Sequence, residues 1–294
     1  MNSRLPIIDT HIHLWDLKHP ELKWDWLLPE VTHPILGNID AMKSQRYIFD
    51  DLWSEARFAG ISGFVHIQAA IGSPNYVTET RWLQEMIVNG PVPMKIVANT
   101  SLGSAQALNE LHQHCESSNF VGIRDFGAEP MLASGEIIST YEESLKFMAK
   151  NSLVFDLDCE WMNMGAAVAL AERHPNLKIV LEHIGFPRSR DDAYFANWEK
   201  GVRTLAQAPN VTMKISGVAM TDQRFTKESL RRWVEVCLDA FSADRCLLGS
   251  NWPVDRLYSS YDVIMDIYRE FISELSLAEQ QKICDGNAKD IYNF

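Results

Sequence analysis

The stretch Ile7-Ile8-Asp9-Thr10-His11-Ile12-His13 decides how this chain is read. An apolar run enters it and two histidines leave it, two residues apart. Side chains alternate faces along a strand, so His11 and His13 point the same way. At the C-terminal end of a first strand, both imidazoles would face the mouth of a barrel. Two imidazoles at this spacing can share one metal ion or donate together to one oxyanion. The plain alternative is a pair of surface histidines. The apolar entry and the preceding Asp9 favour a site.

Working outward, Pro6–His13 is the first of eight β-like runs. The others are Gly63–Ala69, Met94–Thr100, Val121–Phe126, Leu153–Cys159, Lys178–Gly185, Val211–Gly217 and Cys246–Asn251. Helix-like segments separate them: Asn75–Val88, Ala105–Ser117, Ser139–Lys150, Met164–His174, Asp192–Ala208, Thr226–Phe241 and Tyr261–Glu270. Strict alternation argues for a parallel sheet with crossover helices. Eight repeats argue for closure, so the expected class is α/β and the expected fold a (β/α)8 TIM barrel. The 294 residues suit one such domain over 1–294. Leu14–Arg46, rich in Trp, Pro and His, reads as a long active-site loop at about residues 14–46. Loops of that length usually serve function; the alternative is an insertion with its own small core. Ser276–Phe294 reads as a helix pair, with Gly286-Asn287-Ala288 opening the final helix.

A formal charge of −12 repels nucleic acid and anionic lipid, so neither is expected as a partner. The expected partner is a small-molecule substrate, and self-association into a homo-oligomer stays open. No glycine-rich dinucleotide fingerprint and no phosphate-cradling loop follows any strand. No apolar run approaches the roughly 20 residues of a membrane-spanning helix. The start of the chain lacks the long apolar region of a secretory leader, so the expected location is cytoplasmic. The five cysteines are odd in number and contain no CxxC, which fits buried reduced thiols.

Three motifs give a more specific reading. The His11-x-His13 segment resembles the opening of the amidohydrolase superfamily, whose first strand ends in HxH. Ile179-Val180-Leu181-Glu182-His183-Ile184-Gly185 is similar to that superfamily's sixth-strand histidine motif. Cys246-Leu247-Leu248-Gly249-Ser250-Asn251-Trp252-Pro253-Val254 is similar to its eighth-strand signature, usually written GSDWP or GSNFP. In order, the three span nearly the whole chain. They resemble the amidohydrolase-related branch that holds sugar lactonases and 2-pyrone-4,6-dicarboxylate lactonase. The resemblance implies a metal-dependent-hydrolase type of barrel. It implies His183 as a third metal ligand or as a polariser of a substrate carbonyl.

Two departures narrow the site. The superfamily usually carries an aspartate where Asn251 stands, and an amide cannot take a proton at neutral pH. Strand five, Phe155-Asp156-Leu157-Asp158-Cys159-Glu160, has no histidine, and strand four, Val121-Gly122-Ile123-Arg124-Asp125-Phe126, has no lysine to carbamylate. A two-metal centre is therefore not expected. What remains is one divalent metal, zinc by preference, on His11, His13 and His183, or a metal-free site.

Another carboxylate must then serve as base. Asp158 is the first choice, with Asp255 and Asp125 behind it; each could equally cap a loop or pair with a cation. Arg124 needs an anion, either a protein carboxylate or a substrate group. Lys214 has the same ambiguity. Gln68 could reach the mouth of strand two, with His66 deeper on the same strand. Among Trp15, Trp24, Trp26 and Trp252, the last is expected to line the pocket. The expected catalytic set is His11, His13, His183, Asn251 and Asp158, with Arg124, Gln68 and Trp252 binding substrate. The expected activity is addition of water to an ester-like carbonyl, in a sugar-derived or dicarboxylate lactone. The alternatives are a carboxylic-acid decarboxylase of the same superfamily and a catalytically degenerate ligand-binding barrel.

Overall fold

In the computed structural model, which describes residues 4–294, the β-branched runs of the sequence become eight parallel strands. They are β1 (Ile7–Ile12), β2 (Ile61–Ile67), β3 (Met94–Asn99), β4 (Phe120–Arg124), β5 (Val154–Leu157), β6 (Lys178–Leu181), β7 (Val211–Ile215) and β8 (Cys246–Leu248). Their order in the sheet follows the chain. The helices are α1 (Phe49–Ala56), α2 (Val77–Ile87), α3 (Ala107–His114), α4 (Ala128–Ser134), α5 (Ser139–Lys150) and α6 (Met164–Arg173). They continue with α7 (Asp192–Leu205), α8 (Lys227–Phe241), α9 (Tyr261–Ile272), α10 (Leu277–Gln281) and α11 (Asn287–Tyr292). The architecture is a (β/α)8 barrel.

Two apolar layers hold it together. Large side chains of helices and strands form the outer core. A separate inner cluster gathers Ile8, Val65, Val97, Val154, Val180 and Leu247, and α11 covers it with Ala288 and Tyr292. Every strand supplies this cluster except β7, where the buried Lys214 stands. The barrel closes between β8 and β1. Ile12 bridges Trp252, and the His13 N–H donates to the Trp252 carbonyl at 2.8 Å. Asp9 fastens the seam: it accepts from the Ser250 N–H (2.7 Å), the Ser250 hydroxyl (2.6 Å) and the Tyr261 hydroxyl (2.7 Å).

The strands end earlier than expected on their catalytic side. β6 stops at Leu181, and His183, Ile184 and Phe186 take positive φ. β8 stops at Leu248, and Asn251 has φ +57°. The residues read as strand ends therefore sit on sharp turns, where adjacent side chains no longer alternate. Two helices were not anticipated. In α1 the start is capped by Asp51, whose carboxylate accepts from the Ile48 N–H at 3.0 Å. In α4 Pro130 falls in the first turn, the one helical place that tolerates it.

The 14–46 segment folds back on itself. A short antiparallel pairing of Trp15–Asp16 with Arg46–Tyr47 closes its base. It buries Trp24, Leu27, Ile39 and Met42 in the main core and lends side chains to the central cavity. The cysteines are unpaired thiols, four buried and Cys115 exposed. Among the described residues, no helix is long and apolar enough to cross a membrane.

Candidate active site

The register of β1 against β2 slips between Asp9 and Ile12, which places a bulge there. Ile8 belongs to the inner cluster, so strict alternation would send His11 outward. The bulge re-aims the chain and brings both histidines to the lumen. A second slip, between β3 and β4, does the same for Arg124 after Val121.

His13 Nδ1 lies 2.9 Å from the Ile67 carbonyl, which can only accept, so that nitrogen carries the proton and Nε2 is bare. Its Nε2 faces His11 Nε2 at 3.2 Å. On its other edge, His11 Nδ1 faces Glu182 Oε1 at 3.4 Å with no hydrogen bond formed. Burial foremost lowers the proton affinity of all three imidazoles, His13 to about 3 and His183 to about 4, so they are neutral at pH 7. Neutral His11 then has one proton for two edges. With it on Nδ1, two bare Nε2 atoms face each other; with it on Nε2, a lone pair faces a carboxylate. A cation between the donors removes either conflict. Two nitrogens about 2.0–2.1 Å from one tetrahedral ion lie roughly 3.4 Å apart, close to the spacing seen. His183 Nδ1 meets the Ser216 hydroxyl at 2.9 Å. One donor atom each of His11, Glu182 and His183 lies within 4.8 Å of the others. These residues therefore offer one divalent metal two seats, between His11 and His13 or among His11, Glu182 and His183.

Glu182 also organises the cations. Its Oε2 receives Arg124 Nη1 at 3.2 Å, and its Oε1 lies 3.8 Å from Lys214 Nζ. Burial works to raise its carboxyl, but the Arg124 and Lys214 charges outweigh it and hold the group below the usual carboxylate range. Arg124 Nη2 donates to the Gln68 carbonyl at 2.8 Å, so this guanidinium has a protein carboxylate and still borders the cavity. Lys214 is spent on Asp156 at 2.5 Å, and Asp156 also accepts from the Tyr292 hydroxyl at 2.9 Å.

The cavity above this floor measures about 270 Å³. His13, His183, Asn251, Asp158, Arg124 and Gln68 all border it; His11 is buried behind them. Asp158 has no hydrogen bond at Oδ1. Burial, and after it the Glu182 charge, pushes its carboxyl up to about 7. Gln68 is fully buried, and neither atom of its amide has a partner. Asn251 Nδ2 donates to Asp255 Oδ1 at 2.8 Å, which fixes the amide.

Four expectations need correction or placing. Trp252 does not line the cavity: its Nε1 donates to Glu55 at 3.0 Å and its ring packs edge-on against Tyr261. The turn at Asn251 sends the next side chain outward, and Trp26 borders the cavity instead. Asp125 is a loop cap, accepting from the Leu102 and Gly127 N–H groups. Asp255 is fully buried behind Asn251. His66 Nε2 accepts from the Leu14 N–H at 3.1 Å and braces the base of the long loop.

This is the catalytic face of a (β/α)8 hydrolase, with histidines, carboxylates and an arginine converging at the strand ends. Residues 8–294 match the family described as Amidohydrolase, and the chain belongs to it. It is 33% identical over 298 residues to an uncharacterized protein, y4mH, of Sinorhizobium fredii, covering 99% of both chains. It is 26% identical over 297 residues to an L-fucono-1,5-lactonase of Burkholderia multivorans, covering 97% of this chain and 95% of that one. A solved amidohydrolase from Burkholderia multivorans with bound zinc has the same fold, with a TM-score of 0.83 at 24% identity over 98% of this chain and 99% of that one.

Proposed function

We propose that the protein opens a sugar-derived lactone by adding water. The observation that carries this is the meeting, in one cavity, of an uncompensated carboxyl (Asp158), two neutral imidazoles (His13, His183) and the unpartnered amide of Gln68. His11, Glu182 and His183 would hold one divalent metal, with His13 beside them. Zinc suits this nitrogen-rich set. Bound there, it supplies Lewis acidity to the substrate carbonyl.

The chain's own residues do the rest. Asp158, ionised, takes a proton from water as the oxygen forms its bond to the carbonyl carbon. The ring C–O bond then breaks, and the same proton passes to the leaving ring oxygen, giving the hydroxy acid. Asn251, held by Asp255, orients but cannot take a proton. Gln68 donates to and accepts from substrate oxygens, and the Arg124 guanidinium fixes the polar edge. Both arginines of the cavity wall already have carboxylates, Arg124 with Glu182 and Arg188 with Glu160 at 2.8 Å. That favours a neutral polyhydroxy lactone over a dicarboxylate. The apolar wall, with Trp26, Ile71, Phe186 and Val254, suits a methyl terminus such as the one L-fuconolactone carries.

The test is acid release from a panel of aldonolactones, followed with a pH indicator beside elemental analysis of the purified protein. We expect one equivalent of acid per lactone and about one zinc per chain. The double variant His11→Ala/His13→Ala should keep its circular dichroism and lose turnover by at least about 100-fold, the usual cost of removing an oxyanion stabiliser. Full turnover by that variant would overturn the reading. Carbon dioxide in place of acid would assign decarboxylation.

A further inference from the structure

The long loop carries one short sequence twice: His19-Pro20-Glu21-Leu22 and His33-Pro34-Ile35-Leu36. The two copies fold alike. His19 Nδ1 accepts from the Glu21 and Leu22 N–H groups at 3.2 and 3.1 Å. His33 Nδ1 accepts from the Ile35 and Leu36 N–H groups, both at 3.2 Å. A ring nitrogen that accepts carries no proton, so in each neutral imidazole the proton sits on Nε2. The turn therefore fixes the tautomer and presents an N–H donor on the far edge of the ring.

The surroundings of the two rings differ. His19 packs edge-on against Trp82, away from the cavity. His33 lines the same cavity as Gln68, Asp158 and Arg188, and the hydrogen bonds its ring makes within the described residues are both on Nδ1. Partial burial, with the nearby Arg188 charge, lowers its proton affinity and keeps it in the neutral form. The turn is clamped from two other loops: the Tyr258 hydroxyl donates to the Leu36 carbonyl at 2.7 Å, and the Gln223 amide donates to the Ile35 carbonyl at 3.0 Å. A donor held this way loses little freedom when it meets a ligand.

We propose that His33 is a substrate-binding residue whose Nε2–H donates to a hydroxyl oxygen of the bound lactone, making the long loop part of the specificity site. The proposal rests on the lactonase reading. It also explains why the same turn occurs twice with one copy spent on packing: the motif makes a stiff turn, and its position decides whether the donor is used.

Asparagine separates the two roles. Its Oδ1 can replace Nδ1 as the acceptor of the turn, while nothing replaces the Nε2 donor. His33→Asn and His19→Asn would be compared with the wild type on the best-hydrolysed lactone and on its deoxy analogues. For His33→Asn we expect KM to rise about 3- to 10-fold, the worth of one neutral hydrogen bond, with kcat and melting temperature little changed. The increase should vanish for one deoxy analogue, the one lacking the hydroxyl that His33 holds. His19→Asn should leave KM unchanged. An unchanged KM in His33→Asn, or equal effects of the two variants, overturns this inference alone. A wild type that opens no lactone overturns the lactonase reading, and this inference with it.

Discussion

Asp156 and Asp158 lie two residues apart on one face of the same chain segment, yet they meet opposite environments. Asp156 has Lys214 at 2.5 Å and the Tyr292 hydroxyl at 2.9 Å. Asp158 has an oxygen with no partner at all, at the edge of the cavity. Burial pushes both carboxyls up, that of Asp158 to about 7, so the direction of the shift does not distinguish them. Partners do. A buried carboxylate locked to a buried ammonium cannot trade its proton without breaking the pair, and it acts as a strut. The same group one turn of the pleat higher, with no cation bonded to it, is free to move a proton near neutral pH.

The largest effect is expected at Asp158. Asp158→Asn should cut kcat by about 10²- to 10⁴-fold, the range for a lost general base, with no loss of melting temperature because no cation loses its partner. The pH profile sharpens this. The base works ionised, so activity should climb with pH and level off above about 7. Below that point it should fall about tenfold per pH unit, and this limb should be missing from the residual activity of Asp158→Asn. A variant that unfolds, or a limb that survives, would put Asp158 among the struts.

Asp156→Asn should do the reverse. It leaves Lys214, a buried ammonium, with only Glu182 at 3.8 Å, and should cost about 3–5 kcal/mol of stability in urea titration. An unchanged denaturation midpoint would show that the floor network holds nothing up. The smallest effect lies outside the pair. Trp252→Phe removes the hydrogen bond to Glu55 and part of a buried ring, so we expect a loss of about 1–3 kcal/mol and an unchanged KM. A raised KM would return Trp252 to the cavity wall.

The barrel was legible because its strands carry long apolar runs and its helices a regular period; neither signal depends on distant contacts. The HxH pair and the strand-eight motif marked the right end of the sheet. What stayed hidden arises where a strand stops being a strand. Glu182 and His183 are neighbours, and on a strand only one of them could face inward. The positive-φ turn at His183 brings both to one site, and no periodicity reports such a turn. The bulges before His11 and Arg124 are equally silent, since each is a matter of register with the next strand. Trp252 misled for the converse reason: closeness in sequence to Asn251 says nothing once the chain reverses at that residue. The apolar signal of α1 was masked by Asp50 and Asp51, and that of α4 by Pro130. The Asn251 departure was legible, but its use was not. That needed Asp255, four residues on, seen holding the amide in place.

The seam at Asp9 has a consequence for the life of the chain before it is an enzyme. Asp9 is made early, but Ser250 and Tyr261, which satisfy its buried carboxylate, lie 241 and 252 residues downstream. At ribosomal speeds of about 5–20 residues per second, that is a wait of roughly 10–50 s. During it the first strand has its histidine pair but no second neighbour, and an apolar edge stands open. Trp252 closes the strand pairing first, and the hydroxyl of Tyr261 is the last-made of the groups that satisfy Asp9.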